Sequence, residues 1–245
     1  MEIIDLECNE LQFFSLWSKQ WTTENLILLY NPIFSDDPLF NHALLKDMEV
    51  VLTQDDLRYV KSFYERLKVR PALFLLEKKY QELLLESDFE VLDKLLTMST
   101  GTRSCAPSNP SIKISICSKD DLEDWVKVFV DAFAAYSWVD GLKEITPNLL
   151  KHPGCTLYIA RYKSKAVGVA ARFSSEKLSG IYCLGTIPDL RGRGIGSTLI
   201  KHLINEAYKE GDRNLCLQTL LSENLIRFYT KLGFKKVYRK VIYIA

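Results

Sequence analysis

Pro188-Asp189-Leu190-Arg191-Gly192-Arg193-Gly194-Ile195-Gly196-Ser197 is the stretch on which the reading of this chain turns. It follows a strand-like run, Gly180–Thr186, which Pro188 stops, and it opens an amphipathic helical pattern that continues to about Glu210. Glycines accept φ > 0 and let a ligand come close to the backbone. A loop that feeds a helix N-terminus offers unpaired N–H groups and the positive end of the helix dipole, an anion site suited to phosphate or pyrophosphate. Arg191 and Arg193 add charge and forked donors. Two familiar phosphate motifs do not fit. The Walker loop needs Lys after its last glycine, and here Ser197 follows Gly196. The dinucleotide fingerprint Gly-x-Gly-x-x-Gly needs a glycine where this chain has Ser197. Glycines alone also leave open a tight strand-to-helix turn that holds nothing.

Downstream, Gly211-Asp212 reads as a turn and Asn214–Leu220 as a strand. Ser222–Leu232 reads as a helix stopped by Gly233, and Phe234–Ile244 as a final strand. Upstream, Thr156–Tyr162 and Ala166–Phe173 read as a hairpin around Lys163-Ser164-Lys165. Leu122, Trp125, Val126, Phe129, Val130 and Phe133 lie at helical spacing after Ser118, which forms a capping-box pattern with Asp121. Ile112, Ile114 and Ile116 alternate with polar residues as a strand does. Pro147 and Pro153 predict a broken stretch between that helix and the hairpin.

In this ordered frame Arg191, Gly194 and Gly196 fit the pattern Arg/Gln-x-x-Gly-x-Gly/Ala. The preceding strand ends Leu184-Gly185-Thr186-Ile187-Pro188, and Phe228-Tyr229-Thr230-Lys231-Leu232-Gly233-Phe234 lies downstream. On these residues the chain from about 112 to 245 resembles the GNAT superfamily of acyl-CoA-dependent N-acyltransferases. The resemblance implies an α/β (α+β) fold with a mixed, mostly antiparallel central sheet flanked by helices. It implies acetyl-CoA as co-substrate and no metal. The pyrophosphate would be held by Arg191, Gly192, Arg193, Gly194, Ile195, Gly196 and Ser197. The pantetheine arm would run beside Leu184, Gly185 and Thr186 like an added strand, which requires that strand to part from the next one. Tyr229 matches the general acid that protonates the leaving CoA thiolate; the plainer alternative is a packed helix aromatic beside Phe228. The activity implied is acetyl transfer to the amine of a small-molecule or protein acceptor, by direct attack in a ternary complex. The alternative is a non-catalytic module that binds or senses acyl-CoA.

Two positions depart from the family's pattern. Seven residues before Tyr229 stands Ser222 rather than Asn, with Asn224 two positions later, and Ser222 is expected to cap the helix. The strand 180–186 has no Asp or Glu to act as a general base, which leaves Glu223 or a water held by backbone carbonyls. Cys183 and Cys216 fall in predicted strands and read as buried apolar thiols rather than nucleophiles.

Met98–Pro110 is rich in Ser, Thr, Gly, Pro and Asn, and the charge changes sign there. Residues 1–100 carry 10 basic and 18 acidic side chains; residues 101–245 carry 22 and 13. These features place a linker over 101–110, a smaller N-terminal α/β domain over 1–100 and the GNAT-like domain over 111–245. In the first hundred residues Leu26–Tyr30 and Ala72–Leu76 read as strands, Asp55–Leu67 and Tyr80–Glu86 as helices, and Phe89–Leu96 stays ambiguous. Tyr30-Asn31-Pro32-Ile33-Phe34 and Ser62-Phe63-Tyr64-Glu65-Arg66-Leu67 are similar to N-terminal extensions in some GNAT members, which look like a degenerate half copy of the same fold. This part has no glycine loop, so no CoA is expected there. Its acidic surface would shape a pocket for a cationic amine or dock on the basic half.

With 47% hydrophobic and 26% charged residues, the 245-residue chain reads as a folded globular protein. It has no apolar run of the ~18 residues needed to cross a membrane, and its acidic start, with Glu2, Asp5, Glu7 and Glu10, is unlike a secretory signal. Six scattered cysteines without a CxxC pair and three histidines suggest neither disulfides nor a metal site, and a cytoplasmic protein is expected. No Lys/Arg stripe with stacking aromatics points to nucleic acid.

Overall fold

The computed structural model describes residues 2–76, 80–107, 109–176 and 178–245. Along the chain lie α1 (Ile3–Phe14), β1 (Lys19–Thr22), β2 (Leu26–Tyr30), β3 (His42–Leu45), α2 (Gln54–Arg66), β4 (Ala72–Leu76), α3 (Gln81–Glu86) and β5 (Glu90–Gly101). There follow β6 (Ile112–Ile116), α4 (Leu122–Phe133), α5 (Val139–Lys151), β7 (Cys155–Tyr162), β8 (Lys165–Ser174), β9 (Ser179–Thr186), α6 (Ile195–Lys209), β10 (Asn214–Leu220), α7 (Ile226–Lys231) and β11 (Lys235–Ile244). All of the ambiguous Phe89–Leu96 except Phe89 thus lies in the first part of a long strand, β5. Among the described residues no helix is long and apolar enough to cross a membrane.

Two compact units form, each discontinuous in sequence. One holds Met1–Phe13, Met98–Gln218 and Ile226–Lys236; the other holds Phe14–Thr97, Thr219–Leu225 and Val237–Ala245. The main change of unit, near residue 98, falls where the charge changes sign. The chain nevertheless crosses a simple 1–100 and 111–245 division at both ends, because α1 packs in the first unit and most of β11 in the second.

In the first unit the strand order is β10-β9-β8-β7-β6. β6 to β9 are antiparallel, and β9 runs parallel to β10. Helices approach both faces closely. A Cβ on Gly168 of β8 would lie 2.7 Å from Ile195 Cγ2 of α6, and one on Gly185 of β9 would lie 2.8 Å from Ala132 Cβ of α4. A strand covered on both faces loses the usual alternation, and Ala166–Ala171 is accordingly an unbroken apolar run. The β7–β8 hairpin closes on two residues, Lys163 (φ 48°) and Ser164 (φ 64°), the primed turn that suits strand twist. The capping box before α4 forms as expected: the Ser118 N–H donates to Asp121 Oδ2 at 2.8 Å and the Ser118 hydroxyl donates to it at 2.6 Å.

Pro147 does not break the chain; it sits inside α5. Proline forgoes one helical hydrogen bond, and the buried face formed by Leu142, Ile145 and Leu149 outweighs that loss. Nor do residues 102–107 and Asn109 hang as a free linker. The Thr102 N–H donates to Arg213 O at 3.1 Å. Asn205 of α6 accepts from the Cys105 N–H and donates to the Cys105 carbonyl, each at 2.6 Å. The Asn109 N–H donates to Thr198 Oγ1 at 3.1 Å, near the start of α6. The segment is a strap along α6. Composition marks it as irregular, and side chains about 100 residues away hold it. At the N-terminus, buried Asn9 of α1 donates to Ser175 Oγ at 3.0 Å and Leu178 O at 3.2 Å and accepts from the Tyr182 hydroxyl at 2.7 Å, while Phe13 stacks on Tyr182 at 3.8 Å.

The second unit orders its strands β1-β2-β3-β4-β11-β5. β1, β2 and β3 are antiparallel, and β3 passes through α2 to the parallel β4. This repeats the β7-β8-β9-α6-β10 course of the first unit, as expected for a half copy. The two crossover loops differ in chemistry. The one before α2 has no glycine and carries Asp47 and Glu49. The α2 N-terminus is filled by its own Thr53–Asp56 capping box, with Asp55 beside it. That end of α2 repels anions instead of collecting them.

Val241 and Tyr243 of β11 join Leu28, Leu57, Val60, Tyr64 and Leu73 in this unit's core, and β11 pairs with β4 from Lys240↔Leu76 to Ile244↔Ala72. A fragment 1–100 lacks that strand. It is therefore expected to show no cooperative thermal transition by circular dichroism and no CoA binding; a sharp melt would show that the N-terminal part folds without β11.

Candidate active site

β9 changes partners along its length. From Ser179 to Ile181 it pairs with Leu215–Leu217 of β10. Past Ile181 the described residues show no β9–β10 partner, while β9 stays on β8 through Gly185↔Val169 and Thr186↔Gly168. Between these positions the register slips: Tyr182 faces Ala171 and Gly185 faces Val169, so Cys183 and Leu184 share the space opposite Ala170. This is a β-bulge, which bends a strand and increases its twist. Cys183 adopts φ 51°, in the left-handed region that a cysteine seldom enters. β9 and β10 thereby form a fork. The β10-facing backbone groups of β9 past the bulge have no strand partner among the described residues, and exposed polar groups of this kind call for one.

Beyond the fork the chain makes a short turn at Pro188–Leu190 and enters the glycine loop. Gly192 (φ 77°) and Gly194 (φ 82°) take conformations that favour glycine. α6 begins with no side-chain cap and no acidic residue in its first turn, the opposite of α2. Uncapped N-terminal N–H groups of this kind are donors that an anion can take. The Arg191 guanidinium bonds to backbone carbonyls: Nε donates to Thr186 O at 3.2 Å and Nη2 to Ala132 O at 2.7 Å. It ties the loop to the end of β9 and the last turn of α4. Arg191→Ala removes both bonds and is expected to cost about 1–2 kcal/mol, read as a lower urea midpoint at unchanged slope; an unmoved midpoint would show that the two bonds carry no net stability.

α7 reaches the same place. A Cβ on Gly196, in the first turn of α6, would lie 3.6 Å from Phe228 Cζ and 3.8 Å from Thr186 Oγ1. The end of β9, the start of α6 and Phe228 therefore converge, with Tyr229 next along α7. Tyr229 is 6% exposed, with its ring edge-on to Phe234 at 6.1 Å and tilted on Phe228 at 5.1 Å. Arg103 donates to the Leu232 carbonyl at 3.0 Å where α7 ends at Gly233 (φ 97°).

The expectation that Ser222 caps α7 fails. Leu221–Glu223 forms a separate 3-10 turn, Asn224 turns left-handed (φ 56°), and α7 starts at Ile226. The Ser222 hydroxyl donates instead to Asp93 Oδ2 at 2.5 Å, and Glu223 Oε2 accepts from Thr219 Oγ1 at 2.9 Å. Burial pushes the thiols of Cys183 and Cys216 well above their ordinary range, so both stay protonated and poorly nucleophilic at neutral pH. Among the described residues no group of three His, Cys, Asp or Glu side chains is placed to hold a metal ion. Neither the bulge at Cys183 nor the bonds that Arg191 and Asn109 make around the loop has a signal in the local sequence.

Residues 153–236 match the family model of the acetyltransferase (GNAT) domain. An uncharacterized N-acetyltransferase of Methanocaldococcus jannaschii is 27% identical over 132 residues, 49% of this chain and 58% of that protein. An uncharacterized N-acetyltransferase of Archaeoglobus fulgidus is 29% identical over 108 residues, 39% of this chain and 74% of that protein. The match thus spans little more than half the length of the first relative. Among solved structures, a GCN5-related N-acetyltransferase from Kribbella flavida shares the fold with a TM-score of 0.71, at 14% identity, over 98% of this chain and 94% of that one. The sheet is mixed and mostly antiparallel with helices on both faces, as the resemblance implied. Residues 153–236 thus form an acetyltransferase (GNAT) domain, within a chain that shares its fold with a GCN5-related N-acetyltransferase.

Proposed function

We propose that this protein is an N-acetyltransferase that moves the acetyl group of acetyl-CoA directly to an acceptor amine within a ternary complex. The observation that carries the reading is the fork between β9 and β10, opening onto the uncapped first turn of α6. Amides of the Gly192–Ser197 loop hold the pyrophosphate, helped by the helix dipole and the charge of Arg193. Arg191 serves by fixing the loop's carbonyl neighbours. The backbone of Leu184, Gly185 and Thr186 supplies the edge on which the pantetheine arm lies, and an N–H near Thr186 polarises the thioester carbonyl.

The amine lone pair attacks that carbonyl, and the C–S bond breaks as the tetrahedral intermediate collapses. Tyr229 gives its proton to the departing thiolate, the new ammonium loses a proton to solvent as the amide forms, and solvent returns a proton to the Tyr229 phenolate. Holding amine and thioester together supplies much of the acceleration. The N-terminal half copy holds no CoA in this reading, as the acidic, self-capped start of α2 supports. The protein works in the cytoplasm, in keeping with its unpaired cysteines.

The test is to incubate the full chain with acetyl-CoA and a panel of amines (a polyamine, an aminoglycoside, amino acids and a lysine peptide) and to follow free thiol. Amine-dependent thiol release is expected. CoA binding without turnover on any amine would favour an acyl-CoA-binding module, and no binding of CoA would end the reading.

A further inference from the structure

The strap before β6 ends at the glycine loop, and Asn109 is the residue that joins them. Its Nδ2 donates to the Arg193 carbonyl at 3.1 Å. Its N–H donates to Thr198 Oγ1 at 3.1 Å, and the Thr198 hydroxyl in turn donates to the Gly194 carbonyl at 2.7 Å. Its own Oδ1 accepts from the Ser111 N–H at 3.0 Å, which closes the turn into β6. The Arg193 carbonyl is therefore held from the strap side by Asn109, whereas the Gly194 carbonyl also accepts from the Thr198 N–H at 3.0 Å and the Ser197 hydroxyl at 3.1 Å, within α6.

A trans peptide is planar, with its C=O and N–H pointing in opposite directions. Tying the Arg193 carbonyl to Asn109 turns the Gly194 N–H the other way. The first backbone bond of α6, from the Thr198 N–H to the Gly194 carbonyl at 3.0 Å, already does the same for the Ile195 N–H. The Arg193–Gly194 peptide lies outside the α6 hydrogen-bond ladder, and glycines at positive φ flank Arg193, so this peptide is the one that rotates readily. A flipped Arg193–Gly194 peptide would present a carbonyl oxygen to an incoming phosphate and repel it.

We propose that Asn109, anchored by Thr198, is a positioning residue that sets the Arg193–Gly194 peptide plane of the anion-binding loop so that the Gly194 N–H faces the CoA pyrophosphate beside the N–H groups of α6. The proposal rests on the reading that this loop binds CoA. Asn109 acts through the loop. It belongs to the strap, and its bond spans 84 residues to the loop.

The experiment compares wild type, Asn109→Ala, Asn109→Asp and Thr198→Val. Each is titrated with CoA by calorimetry and assayed with acetyl-CoA and with S-acetylpantetheine, a thioester that has no pyrophosphate. Asn109→Asp keeps the acceptor for Ser111 and loses only the donor to Arg193, so the turn into β6 survives in it. The Asn109 variants are expected to raise the CoA Kd about 5- to 10-fold, the scale of one or two hydrogen bonds, with Asn109→Asp the weaker binder of the two. Thr198→Val should follow in the same direction. The acetyl-CoA effect should lie in KM with kcat at saturation kept, and kcat/KM for S-acetylpantetheine should stay within a factor of two. A general loss of structure would instead lower activity on both thioesters together, and that result would overturn the proposal. CoA affinity within a factor of two of wild type in both Asn109 variants would overturn it as well. If wild type itself binds no CoA, the reading of the loop as a CoA site fails first and takes this proposal with it.

Discussion

Gly194→Asp and Gly196→Asp are each expected to raise the Kd for CoA at least 100-fold while leaving the fold standing. Both positions lie at the start of α6, where anionic side chains suit the helix dipole, so the helix tolerates them. At Gly194, the residue before α6 (φ 82°), an aspartate accepts the left-handed backbone better than most residues. Its carboxylate would compete for the N–H groups at the start of α6, where the pyrophosphate is proposed to sit. At Gly196 the added Cβ would meet Phe228 and Thr186 at 3.6 and 3.8 Å, ordinary contact distances. A carboxylate ~5 Å from a phosphate charge at an effective dielectric near 20 costs roughly 3 kcal/mol, which already accounts for the hundredfold.

Gly194→Asn, the same shape without charge, should lose much less. Wild-type binding should weaken as salt is added, because part of it is charge pairing. Calorimetric titration measures all of these, with thermal melts as the fold control. Wild-type affinity in either aspartate variant would remove the loop from CoA recognition.

Tyr229→Phe is expected to lower kcat ~100-fold or more, the scale of a positioned general acid, with CoA affinity changed by less than about threefold. The phenylalanine keeps the ring that packs on Phe228 and Phe234 and removes only the hydroxyl. Loss of kcat with binding kept marks an interaction made in the transition state. A Tyr229→Phe enzyme that turns over within fivefold of wild type would show that solvent protonates the thiolate and that Tyr229 is a core aromatic. Tyr229→Ala is a poor substitute, since emptying a buried aromatic site costs about 3–5 kcal/mol and mixes folding with chemistry.

Much of the fold is legible in short stretches of this chain. Ser118 and Asp121 announce the start of α4 three residues apart, and Lys163-Ser164 sits between two apolar runs that pair as a hairpin. The glycine loop is legible for the same reason: Gly192 and Gly194 stand where the backbone needs positive φ, and the helix after them begins without a cap. Pro147 and Ser222 mislead by the same local logic. A proline usually ends a helix and a serine often starts one, but packing of Leu142, Ile145 and Leu149 carries α5 through Pro147, and Asp93, 129 residues from Ser222, takes the serine hydroxyl.

The elements that a few neighbouring residues specify are readable without the fold: the hairpin, the capped α4, the glycine loop with α6, and the change of character near residue 98. Whatever depends on a distant partner came only with packing of the folded chain. That packing placed α1 through Asn9 and Tyr182, sent the end of β11 to pair with β4, and turned an apparent linker into a strap held by Asn205 and Thr198. It also made the fork. No local preference asks a cysteine for φ 51°; Cys183 takes it because β9 must stay on β8 while it leaves β10. Capping, turns and periodicity act over a handful of bonds and are written locally. A bulge, a strand's choice of partner and a hydrogen bond across 84 residues form when the folded chain satisfies its backbone groups as a whole.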